Sequence, residues 1–191
     1  MKTINTIACV ISFATLFISC SNENDATPVN EEELITTITA VFTPEGGGSA
    51  VTLNSRDLDG DGPNAPVITI SGPFAQNTTY NGIVTFTNES VSPAEDITAE
   101  IVAEAEDHQI FYQTTGSLPD FIYSTTAENV DANGKPIGLE TVFTTTTAAT
   151  GVLKISLIHL PNKTAVGVAA GDPTNAGGNT DATEEFTVQV E

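Results

Sequence analysis

From Glu33 onward, apolar residues recur at every second position with threonine or another polar residue between them. A period of two is the signature of a strand with one buried face. Leu34, Ile38, Ala40 and Phe42 share one face against Thr37 and Thr39, and Val51 and Leu53 alternate with Thr52 and Asn54. Ile68 and Ile70 flank Thr69, while Tyr80, Val84 and Phe86 oppose Thr79, Thr85 and Thr87. The same rhythm returns at Ile110 and Tyr112, Phe121 and Tyr123, Leu139 and Phe143, Leu153, Ile155 and Leu157, and Phe186, Val188 and Val190. Turn signals punctuate these runs: Gly46-Gly47-Gly48, Asp61-Gly62-Pro63, Gly72-Pro73 and Asn133-Gly134.

One segment departs from the rhythm. Ser92-Pro93-Ala94-Glu95 reads as a capping box with proline at the first helical position, and Ala94, Ile97, Ile101 and Ala105 follow at helical spacing. The pattern predicts a helix over residues 93–105. The expected fold of residues 33–191 is therefore all-β: an immunoglobulin-like antiparallel β-sandwich with one short inserted α-helix. A two-lobed fold of alternating strands and helices does not fit this pattern. Pro161 to Thr183, rich in glycine, asparagine and alanine, reads as a long loop before the last strand.

The N-terminus has a different character. Met1-Lys2 precedes an apolar run from Ile4 to Ile18, which ends at Ser19-Cys20. This is the layout of a secretory signal. Phe17-Ile18-Ser19-Cys20 resembles the bacterial lipobox, with Phe17 where an aliphatic residue is usual. The resemblance implies a signal peptide over residues 1–19 and lipidation of Cys20. Residues 20–32 then read as the lipidated cysteine and an acidic tether. Ser21-Asn22-Glu23-Asn24-Asp25 also loosely resembles the signal that exports some lipoproteins to the outer face of the outer membrane; a plain linker is the other reading. The chain as a whole resembles small Gram-negative outer-membrane lipoproteins of unknown function. That resemblance implies attachment at the outer membrane, on its periplasmic face or at the cell surface.

Charge and cysteine content narrow the chemistry. The formal net charge is −20, and loss of Lys2 with the signal makes it −21. Such a surface repels nucleic acid and anionic lipid headgroups, so membrane attachment falls to the acyl chains on Cys20. Cys9 lies in the signal, and after lipidation of Cys20 no thiol remains for a disulfide, a nucleophile or a zinc–thiolate site. With no Trp and three Tyr, a broad sugar-stacking platform is not expected. No nucleophile elbow, phosphate loop or zinc-protease helix occurs, so the reading is non-enzymatic; a carboxylate-dependent hydrolase is the enzymatic alternative.

Three constellations could hold an ion. Asp57, Asp59 and Asp61 match the first half of a calcium loop, D-x-D-x-D-G, but Pro63 follows and Ile68 stands where a bidentate glutamate belongs. An ordinary acidic turn is the alternative. Asn129 to Gly134, with Glu140 at the twelfth position, fits calcium spacing better, yet Asn133-Gly134 favours a hairpin. His108 follows Glu104, Glu106 and Asp107, and His159 ends a strand on the face of Leu153, Ile155 and Leu157. If strand ends on one side of the sandwich cluster, the two histidines suit zinc or another transition ion, with Asp172 or Asp181 adding a carboxylate. The alternative is two separate structural histidines.

These features predict a lipid-anchored binding or accessory module that requires no cofactor, with calcium the first candidate ion and zinc the second. By analogy its partner is an outer-membrane uptake receptor for a nutrient or metal. A structural or adhesive surface domain is the other reading. Replacing Cys20 by serine is expected to move the protein from the membrane pellet to the soluble fraction after a salt wash. Retention in the pellet would place the anchor elsewhere.

Overall fold

Alternation along the chain becomes two antiparallel sheets facing across one core. The computed structural model describes residues 34–60 and 62–191. Cys20, the tether and Asp61 lie outside them. The strands are β1 (Thr37–Pro44), β2 (Val51–Arg56), β3 (Val67–Ile70), β4 (Thr79–Asn88), β5 (Glu95–Asp96), β6 (His108–Thr114), β7 (Phe121–Tyr123), β8 (Glu140–Thr144), β9 (Ala149–His159) and β10 (Asn179–Val190). The larger sheet runs β3-β2-β1-β4-β8-β7, with β5 also paired to β4; the smaller runs β10-β9-β6. The single α-helix among the described residues, α1, spans Ile97–Ala103. No helix among the described residues is long and apolar enough to cross a membrane.

The inward residues of both sheets build one hydrophobic core. Ile38, Phe42, Leu53, Val84, Phe86 and Phe143 come from the larger sheet, and Ile110, Leu153, Ile155, Leu157 and Phe186 from the smaller. Phe74 lies at its centre, edge-on to Phe42, Tyr80 and Phe143 at 5.4, 5.0 and 5.0 Å. Such edge-to-face pairs are worth about 0.5–1.5 kcal/mol each beyond their burial. Gly82 makes room for this packing, since a Cβ there would sit 2.5 Å from the Phe42 ring.

Several local expectations change. The helix starts at Ile97 rather than residue 93, because Glu95 and Asp96 pair with Asn88 and Thr87 and extend the sheet first. Asp96, not Ser92, caps it, accepting from the Ala99 backbone N–H at 3.4 Å. Ile97 and Ile101 are buried as predicted, whereas Ala94 is exposed. Leu34 precedes β1 and is exposed, and Ile68 is exposed on the edge strand β3, where no further strand covers it. The last strand begins at Asn179, so residues 160–178 form the connection. That connection is not structureless: Val168 and Ala176 pack with Phe111 and Ile158 as a second apolar cluster.

Lys163 ties this connection to the rest of the domain. Its buried ammonium donates to the Ala105 carbonyl at 2.5 Å, the Asp131 carboxylate at 3.1 Å and the Pro136 carbonyl at 3.1 Å. All three protons are used, so the charge is both paired and solvated by protein. Lys163→Met keeps most of the stem but leaves Asp131 and two carbonyls without their donor. It is expected to lower unfolding stability by about 3–5 kcal/mol in urea titrations. A loss below about 1 kcal/mol would show that water replaces the ammonium without penalty.

Candidate metal centre

The pairing of β6 with β9 decides where the histidines go. Ile110 lies opposite Leu157, and two residues further along the same ladder His108 lies opposite His159. Residues two apart share a face. His108 therefore continues the inward row of Ile110 and Tyr112, and His159 that of Leu153, Ile155 and Leu157. Both histidines are buried, at 1% and 6% exposure. Their rings stack with centroids 4.6 Å apart and planes 14° apart.

Glu104 is the third member. It caps the C-terminus of α1, its N–H donating to the Glu100 carbonyl at 2.9 Å, which sets it four residues before His108. One ligand atom from each of Glu104, His108 and His159 lies within 4.8 Å of the other two. This is the one such group of three or more histidines or acids found among the described residues. The ligands of a tetrahedral zinc stand about 3.3 Å apart at bond lengths near 2.0–2.1 Å. Capture of an ion thus means drawing in the exposed Glu104 side chain and tilting the two rings out of their stack.

The surroundings of His108 are lopsided. Nδ1 is 3.2 Å from the Glu104 backbone carbonyl. A carbonyl only accepts, so this bond puts the proton on Nδ1. Nε2 has no hydrogen-bond partner and faces the Asp181 carboxylate at 3.8 Å, with both side chains 1% exposed. Burial holds the His108 pKa below its ordinary value, reinforced by His159 and opposed by the Glu104 carbonyl and Asp181. The neutral ring has one proton, and the Glu104 carbonyl takes it. Glu104 also borders a groove of about 590 Å³ together with Glu106, Asp107, Glu128 and Asp131, which neither histidine lines.

The other sequence candidates behave differently. Asp59 accepts from the Asn64 amide at 2.7 Å and backbone at 3.3 Å, and Asp57 accepts from the Asp59 N–H at 3.2 Å. These carboxylates serve their own exposed turn. Asn129 to Gly134 is a tight turn: Asp131 accepts from the Asn133 and Lys135 N–H groups at 2.8 and 2.9 Å and pairs with Lys163. Asp172 is not beside the histidines; it caps a 3-10 turn, accepting from Thr174 at 2.9 Å. Asp181 does reach His108. Lys163 escaped the sequence reading, since one lysine in a glycine-rich loop carries no signal of burial. No protein-family model, curated protein or solved structure matches the chain.

A second acidic concavity, about 390 Å³, is lined by Asp57, Asp181, Glu184 and Ser55. Burial chiefly, with Asp57 and Glu185 nearby, raises the Glu184 pKa, against hydrogen bonds from Ser55 and backbone. A carboxyl whose folded pKa is raised is penalised once ionised, above that pKa, and the penalty vanishes below the unfolded value near 4.5. Glu184→Gln is therefore expected to raise the melting temperature at pH 7 and leave it unchanged at about pH 4. An equal shift at both pH values would exclude ionisation as its cause.

Proposed function

We propose that this protein is a lipid-anchored, non-enzymatic binding module of the outer membrane or cell surface. Its Glu104–His108–His159 cluster takes a divalent first-row transition ion, with zinc the reference case. The stacked pair of buried histidines beside a carboxylate is the observation that carries this reading. Two imidazoles and a carboxylate suit zinc, copper or nickel, whereas calcium requires six to eight oxygens. That chemistry moves zinc ahead of calcium as the ligand. The ion is cargo: with three protein ligands, it exchanges more readily than one closed off by four. The lipobox-like Phe17–Cys20 segment supports the anchor, and an uptake receptor in the same membrane is the partner that such a carrier would serve.

Calorimetry with zinc chloride on the full chain tests this. One equivalent is expected to bind, unaffected by millimolar calcium. The His108→Ala, His159→Ala double variant is expected to lose at least tenfold in affinity, while circular dichroism confirms that it remains β-folded. Absence of zinc binding by the native protein would reject the cluster as a site and favour the structural or adhesive reading.

A further inference from the structure

The ring of His108 is set before any ion arrives. With the Nδ1 proton on the Glu104 carbonyl, Nε2 carries the lone pair. That nitrogen belongs to a side chain 1% exposed and makes no hydrogen bond. A buried acceptor in this state calls for an explanation, and a metal ion is a partner that uses a bare lone pair. The carbonyl that orients the ring is itself fixed. It also accepts from the Asp107 N–H at 2.9 Å, so both of its lone pairs are used. The Asp107 carbonyl in turn accepts from the Leu160 N–H at 2.6 Å, and the Ala105 carbonyl from Lys163 at 2.5 Å. The turn over residues 104–107 is thereby tied to α1 on one side and to the residues just after His159 on the other.

This arrangement matches one chemical role. Histidines that bind metals through one ring nitrogen donate the other N–H to a backbone carbonyl or a carboxylate, which fixes tautomer and orientation. The Glu104 carbonyl stands in that place. We infer that His108 ligates the ion through Nε2 and that Glu104 acts twice: its carboxylate is a ligand, and its backbone carbonyl holds the Nδ1 proton and so presents Nε2. The inference rests on the metal-binding reading above. Binding then needs no change of tautomer. The Nε2 lone pair forms the bond to the ion, Nδ1 keeps its proton, and no proton is gained or lost at His108. The Asp181 carboxylate, 3.8 Å from Nε2, adds negative charge beside the ion. The two roles of Glu104 separate in Glu104→Gln, which removes the carboxylate and keeps the carbonyl.

Long-range proton–nitrogen NMR of the full chain, labelled at histidine, reads both the tautomer and the ligating atom. Before metal is added, His108 is expected to carry its proton on Nδ1. With zinc chloride, Nε2 is expected to take the shift of a ligated nitrogen while Nδ1 keeps its proton. Glu104→Gln is expected to leave the metal-free tautomer unchanged and to weaken zinc binding at least about tenfold in calorimetry. A proton on Nε2 in the metal-free protein, or ligation through Nδ1, would overturn the inference and leave the ion site standing. Unchanged affinity in Glu104→Gln would overturn the double role of Glu104. If zinc perturbs neither histidine, the ion site itself falls and this inference with it. Should Glu104→Gln not fold, the nitrogen ligated in the native protein still decides.

Discussion

Everything distinctive about this domain depends on the register between β6 and β9. Strand side chains alternate, so a slip of one residue between the two strands would put the two histidines on opposite faces of the sheet. The register is held by its apolar members: Ile110 and Leu157 are fully buried, and displacing either row would expose the core face of the smaller sheet. The hydrophobic core thus fixes the position of a polar cluster it does not itself contain. The rings meet at the end of the ladder because β6 begins and β9 ends there.

Much of this arrangement is legible in the chain. A period of two survives folding because it is a local property, and the large inward residues of nearly every predicted run are buried. It fails at edges: Ile68 has the alternation of a core strand, but alternation cannot reveal that no neighbour lies beyond β3. The helix start fails for a related reason. Ser92 to Glu95 has good capping chemistry, yet Glu95 and Asp96 gain more by pairing with the end of β4, and the cap passes to Asp96.

The cluster of His108, His159 and Glu104 was partly legible for the same physical reason. Strand ends gather at the ends of a sandwich, so two histidines at such ends had a route to one another, and Glu104 stood four residues before His108. What sequence lacked was long-range register. The bulge that turns Asp181 inward has no glycine or proline to announce it, and the lodging of Lys163 between Ala105, Asp131 and Pro136 joins segments up to 58 residues apart. Both depend on where elements come together, which no local pattern encodes.

The two buried polar clusters call for different explanations. Lys163 is satisfied by three acceptors and pairs with Asp131, so its burial is consistent with holding a loop in place. His108 is not balanced in this way: the Glu104 carbonyl takes its one proton, and Nε2 makes no hydrogen bond. A leucine at His108 would suit a purely structural core better, since it leaves no buried polar atom without a hydrogen bond. Departures from consistent core design concentrate where a protein must do something besides fold. On the proposed reading, a cation held at Nε2 would give that nitrogen a partner while Nδ1 keeps its bond to the Glu104 carbonyl.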